Sequence, residues 1–433
     1  MLLTRDRSTG KASRPRRSYG ALRATAANAR RDAAAYNRAV TLPDYDLLDE
    51  ASLRTAGGLK WTAFPDCIGA FVAEMDFGTA PPVAAALQEA VAAGRTGYPT
   101  PALSSALSQA CAQWQAERHG WRVDPARIHA VGDVLGALEV VLQHFAPSKT
   151  PVVLPTPAYM PFKPLLELHG HRVIEVPHRR SNGAWRMDLD AIDDALAGGA
   201  GLVLLCNPQN PLGRVFGQDE LRALSDVVER RGARVFSDEI HAPLVYADHR
   251  HVPYASVSDA AARHAVTAVS ASKGWNLAGL KCAQLVFGND DDLARWRRMA
   301  LFAGHGVAGL GMIASIAAWR DGGPWLDHVL RYLQRNRALL AEWMSERMAG
   351  AGFSPPEGTY LAWIDCRGLP LPGDAAPAAF FRRHARVALT DGRECGEAGR
   401  GFVRMNFAMP RPVLREALAR MGGAIDGLAG GAA

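Results

Sequence analysis

The chain has no run of about 18 uncharged apolar residues, so its sequence offers no candidate membrane-spanning helix. Its N-terminus lacks the apolar core of a signal peptide, and a cytoplasmic location is the expectation. Its six cysteines, at positions 67, 111, 206, 282, 366 and 395, never form a Cys-x-x-Cys pair. No histidine cluster has zinc-ligand spacing, so neither a metal site nor a disulfide is expected. Excess charge is also missing once the tail is set aside. The formal net charge is +6, but residues 1–40 carry ten Lys or Arg against two Asp, leaving the other 393 residues at −2. The body is therefore near neutral, and nucleic acid is not expected as a partner. The tail, "RSTGKASRPRRSYG", is rich in Arg and Ser and reads as a disordered extension. An organelle-targeting peptide or a nucleic-acid contact would share that composition.

What is present is length and a repeating pattern. At 433 residues, two domains are expected. Residues 41–80 read as a mixed, irregular lead-in. From about 81 to 314 helical and strand-like stretches alternate. Residues 81–94, with Pro near the start and Gly at the end, predict a helix, as do 102–120, 132–146 and 217–232. The short apolar runs "TPVVLP", "HRVIEV", "GLVLLCN", "ARVFSD" and "AVTAVSAS" lack alternation, which fits strands buried on both faces of a parallel sheet. The fold class is α/β, with helices covering the sheet. From 315 to 433 the pattern changes to a long helix, two strands at 358–366 and 399–408, and a last helix, a smaller α+β domain.

Ligands of open α/β sheets bind beyond the carboxyl ends of strands. "CNPQNPLG" places Asn210 there, in a turn stiffened by proline or as an amide for a ligand oxygen. "FSDEIH" places Asp238 and His241 after a buried strand, where Asp238 is a helix cap or a carboxylate for a cationic nitrogen. In "SASKGWNLAGL", Lys273 ends an apolar strand among small residues that admit a bulky ring; a desolvated lysine has the lowered pKa that imine chemistry needs. The Gly-Asp start of "GDVLGALEVV" offers helix N–H groups to a phosphate. An amine, a carboxylate, an amide and an anion site together describe pyridoxal 5'-phosphate (PLP).

The ordered motifs "NPQNPLGRVF", "SDEIHAPLVY", "SASKGWNLAGLK" and "RMNFAMP", with "AEMDFGTAPPV" and "TGYPTP" before them, resemble the fold-type I PLP enzymes. Within these the sequence is most similar to the aminotransferase-like carbon–sulfur lyases, the MalY/PatB type of cystathionine β-lyase, from about Leu47 to Gly427. The resemblance implies a large domain with a mainly parallel seven-stranded sheet sandwiched by helices. It also implies a small C-terminal domain, with residues 41–80 reaching the small domain and a dimer interface. It assigns Lys273 to the cofactor aldehyde and as catalytic base, Asp238 to the ring nitrogen, and Asn210 to the ring oxygen, with His241 beside that oxygen. Tyr159 would stack on the ring. Ser270 and the backbone of Asp133, Val134 and Leu135 would hold the phosphate, Tyr98 would reach the partner's phosphate in a homodimer, and Arg404 would bind the substrate carboxylate. Lys281 and Lys60 receive no role. The implied reaction releases a thiol, pyruvate and ammonia from a sulfur-containing amino acid. Amino transfer is the alternative, and a PLP-binding regulator a more distant one.

Overall fold

Capping chemistry shapes the first ordered stretch of the computed structural model, which describes residues 43–181, 183–372 and 376–430. The basic tail expected at 1–40 lies outside the described residues. The lead-in is less irregular than its sequence suggested. It holds α1 (Glu50–Ala56) and the single turn α2 (Leu59–Thr62). Asp49 and Ser52 form a reciprocal capping box, and Gly57 ends α1 in the left-handed conformation. Lys60 is buried with Asp76, its Nζ 2.7 Å from Oδ2, while Trp61 Nε1 donates to the other carboxylate oxygen at 2.8 Å. Helices α3 (Pro81–Ala92) and α4 (Pro101–Trp114) follow, each with proline at its first turn.

The central sheet has seven strands: β1 (Ile128–Val131), β2 (Val152–Thr156), β3 (Val173–Pro177), β4 (Leu202–Cys206), β5 (Arg234–Asp238), β6 (Ala265–Val269) and β7 (Ala283–Phe287). Their order is β1-β7-β6-β5-β4-β2-β3. All pairings are parallel except those of β7, which runs against both β1 and β6. Side chains alternate between the two faces, and each face has its own core. Val152, Leu154, Leu202 and Leu204 pack with Leu138 and Val141 of α5 (Val134–His144) and Phe162 and Leu166 of α6 (Phe162–Leu168). Val153, Val203 and Leu205 pack on the other side with Ile192 of α7 (Leu189–Ala197) and Leu221, Leu224 and Val228 of α8 (Gln218–Arg230). Apolar residues on both faces explain why these strands read as unbroken hydrophobic runs. Leu293 and Trp296 of α9 (Asp290–Ala303) complete the first face.

Helices α10 (Gly309–Asp321) and α11 (Gly323–Arg347) lead to a second, antiparallel sheet. Its strands are β8 (Gly352–Phe353), β9 (Leu361–Asp365), β10 (Thr390–Asp391) and β11 (Phe402–Asn406), in the order β8-β9-β11-β10. Helices α12 (Pro377–His384) and α13 (Arg411–Gly430) accompany it. The lead-in joins this part through Ile68–Gly69, which pairs in parallel with Val387–Ala388. All six cysteines are buried free thiols. Among the described residues no helix is long and apolar enough to cross a membrane.

Candidate active site

Three neighbouring parallel strands deliver three functional groups to one edge. Cys206 of β4 registers with Asp238 of β5, and Asp238 with Ala268 of β6. Their carboxyl ends therefore open together, at the position where α/β sheets bind ligands. Asn210 follows β4, Asp238 ends β5 and Lys273 follows β6. Arg404 arrives from the second sheet, where β11 sets it opposite Thr390 and Trp363. Between them is a cavity of about 790 Å³, within the range of small-molecule sites. Every residue singled out from the sequence lines it except Ser270 and Tyr98.

Lys273 is half-buried, and its amine donates to the carbonyl of Ala73 at 2.8 Å. Tyr360 Oη donates to the same carbonyl at 2.9 Å. Burial, aided by Arg404, pushes the Lys273 pKa down to about 8, against the pull of Glu74 and Asp238. Asp238 is pushed up to about 7, chiefly by burial; the Ile240 N–H opposes the shift, Glu239 adds to it, and Lys273 opposes it. Oδ1 accepts from Ile240 N at 3.0 Å, while Oδ2 has only the Cys206 thiol at 4.0 Å. That oxygen is open to a stronger donor. The adjacent Glu239 is different: its carboxylate accepts from Ser237 Oγ and Tyr254 N, both at 2.9 Å, and meets His251 Nε2 at 3.0 Å. It is satisfied and belongs to the framework. His241 is neutral, its pKa depressed to about 3 by burial and by Lys273 and Arg404. Its buried Nδ1 has no hydrogen-bond partner among the described residues.

Arg404 is fully buried, yet no carboxylate pairs with it among the described residues. Its Nη2 donates to the Phe71 carbonyl at 2.7 Å and to Thr390 Oγ1 at 3.2 Å. Nη1 donates to Asn210 Oδ1 at 3.0 Å, which leaves the Asn210 NH2 to donate to a ligand. A buried guanidinium without a countercharge is costly unless an anion joins it. The cavity beside it is where that anion can enter.

The opposite end of the cavity suits a dianion. Asp133 caps α5 by accepting from Gly136 N at 2.7 Å. Burial would raise its pKa, but the Gly136 N–H and Lys281 hold it below the ordinary carboxylate range. Lys281, which the sequence reading left without a role, sits 2.6 Å from Asp133 Oδ2 and lines the cavity. A cation and the start of a helix favour a phosphate here. The Ser270 hydroxyl is buried and donates to the Cys282 carbonyl at 2.7 Å; Ser272, two residues on, is the serine at the cavity wall. Tyr159 lines the wall with its ring edge-on to Phe162. Tyr98 is 91% exposed and reaches none of these groups in its own chain.

Sequence reasoning missed the lead-in backbone. Phe71 and Ala73 supply the carbonyls that hold Arg404 and Lys273, and carbonyls carry no residue signature. The "FVAEMDF" stretch is also pinned by Asn406, whose Nδ2 donates to the carbonyls of Val72 and Glu74, both at 2.6 Å.

This donor set fits PLP. A lysine of depressed pKa suits the aldehyde, and a buried carboxyl with one open oxygen suits a protonated ring nitrogen. A neutral imidazole with an orphan nitrogen and a free amide suit the ring oxygen. The α5 terminus with Lys281 suits the phosphate.

Residues 66–421 match the family described as "Aminotransferase class I and II". The cystathionine beta-lyase of Corynebacterium glutamicum is 37% identical over 85% of this chain and 97% of its own length. A solved structure from Corynebacterium diphtheriae superposes with a TM-score of 0.83 at 40% identity, covering 88% of this chain and 98% of that one. Cystalysin of Treponema denticola, whose structure contains pyridoxal 5'-phosphate, gives 0.83 at 26% identity over 89% of this chain and all of its own.

Proposed function

The chain belongs to the aminotransferase class I and II family, and from that premise we propose that it is a PLP-dependent carbon–sulfur β-lyase acting on cystathionine or related cysteine conjugates. The observation that carries this reading is the meeting, in one cavity, of an amine of lowered pKa, a buried carboxyl and a buried guanidinium that pairs with no carboxylate among the described residues. The relative of known name, a cystathionine beta-lyase, directs the choice among reactions of the family.

When bound, PLP supplies an aldehyde for the substrate amine and a ring that accepts the electron pair left at Cα. The chain's own groups do the rest. Arg404 takes the substrate carboxylate as the missing partner of its guanidinium, which fixes the orientation of the Cα–H bond. The Lys273 amine, with its lowered pKa, removes that proton as general base. Asp238 would keep a proton on the ring nitrogen, because a carboxyl of pKa about 7 ionises further beside a cation. Asn210 and His241 would hold the ring oxygen, and the start of α5 with Lys281 would hold the phosphate. A β-carbon bearing sulfur then loses its thiol, and the remaining fragment hydrolyses to pyruvate and ammonia.

The test is pyruvate release from cystathionine without any keto-acid acceptor. The lyase gives pyruvate and homocysteine in equal amounts. Amino transfer that needs an acceptor, with no pyruvate in its absence, would overturn the reading and favour an aminotransferase.

The assembly proposed is a homodimer. Tyr98 stands in a loop whose Gly97 carbonyl would lie 3.4 Å from a side chain at Gly309, the start of α10. At the end of α9, Leu301 and Phe302 are 78% and 82% exposed. A second copy would cover these groups and carry Tyr98 to its phosphate site. The chain is expected to sediment as a dimer, and Tyr98→Ala to weaken PLP affinity by roughly tenfold, the loss of one charge-assisted hydrogen bond. A monomer that binds PLP as tightly as the wild type would contradict this.

A further inference from the structure

Beyond Arg404 the cavity continues along an aromatic wall to a second cation. The Phe71 residue whose carbonyl holds Arg404 meets Phe64 edge-on, ring centroids 5.1 Å apart. The Arg382 guanidinium lies over the Phe64 ring, 5.2 Å from its centre. All of these residues line the one cavity. Arg382 is placed there by α12, whose Ala378, Ala379 and Arg382 share a face because residues three and four apart do so on a helix. The two alanines leave room, and the arginine ends the slot.

Arg382 is exposed and forms no ion pair among the described residues. The neighbouring Arg393 is different, since its Nη2 sits 2.7 Å from Asp391 Oδ2. Asp391 and Glu394 are the acidic residues of the same chain segment that line the cavity. A free guanidinium held over an aromatic ring is oriented for a carboxylate.

We infer that Arg382 is a specificity-determining residue that binds the distal carboxylate of the substrate's leaving group. The substrate class is then a β-thioether whose thiol half is itself an amino acid. Arg404 holds the carboxylate at the reacting end. A short methylene chain lies along Phe71 and Phe64. Arg382 receives the far carboxylate. This rests on the lyase reading for the reaction but not for binding.

The experiment compares cystathionine with S-ethylcysteine, which has no distal carboxylate. In the PLP-loaded enzyme, Arg382→Ala is expected to lower the ratio of their kcat/KM values at least tenfold, with partial recovery in Arg382→Lys. Arg383→Ala, a neighbour that does not line the cavity, is expected to leave the ratio as in the wild type. The same comparison is made by calorimetry on Lys273→Ala protein, where the base is absent. There, adding Arg382→Ala is expected to raise the Kd for cystathionine about tenfold relative to that for S-ethylcysteine. If the ratios and the relative Kd do not move, the inference is overturned. If the relative Kd moves but the wild type releases no pyruvate from either compound, the distal subsite stands and the lyase reading fails.

Discussion

Lys273→Ala is expected to lower pyruvate release by at least about 10³-fold, because in the proposed reaction it removes both the attachment point of the cofactor and the general base. The same reading predicts how the wild type takes up its cofactor. Only a neutral amine attacks an aldehyde. With a pKa of about 8 rather than 10.5, the neutral fraction grows as pH rises and levels off above about 8. PLP uptake by cofactor-free protein is expected to follow that curve, measured by stopped-flow absorbance. A rate still climbing steeply at pH 10 would mean an ordinary solvated lysine. The low value comes mainly from burial, so its origin is the packing of the lead-in over the strand ends. The Ala73 carbonyl holds the amine in place but adds no charge.

Asp238→Asn is expected to lower kcat/KM by about 10²-fold or more, the usual cost of removing one pre-organised electrostatic partner. The physical argument is local. Asn matches Asp in shape and keeps the acceptor for Ile240 N–H, but it cannot hold a proton on the facing nitrogen. The variant should therefore fold and bind PLP while failing at proton removal from Cα. Exchange of the substrate's Cα hydrogen with deuterated solvent, followed by NMR, separates these steps. Exchange at the wild-type rate in Asp238→Asn would remove this residue from the chemistry. Glu239→Gln makes the contrast, since Glu239 is tied to Ser237, His251 and Tyr254 and faces the framework. Its loss should act on stability.

Much of this was legible because burial on both faces leaves a simple trace. The runs that became β2, β4, β5 and β6 are largely buried, and the groups that matter follow three of them; β3, at the sheet edge, carries Glu175 and is only partly buried. β1 and β7 were not identified. β1 is four residues long and includes His129, and β7 is interrupted by the buried Gln284. These are also the strands joined by antiparallel pairing, which a reading built on alternating strands and helices passes over. The lead-in helices had a signal, the Asp49–Ser52 box, masked by the polar residues around it. Lys281 was passed over because a sequence cannot show that a lone charge meets Asp133 across a turn. Arg404 was legible as an arginine inside an apolar strand that needs an anion. That no described carboxylate forms a direct ion pair with it is visible only in three dimensions.

The account stands on one covalent link, between the ε-amino group of Lys273 and the PLP aldehyde. Borohydride reduction of the PLP-loaded protein, digestion and mass spectrometry of the peptides test it directly. The account predicts a reduced pyridoxyl group on the peptide containing Lys273 and on no other. A label on Lys281 or Lys60, or protein that carries no label after loading, would contradict it.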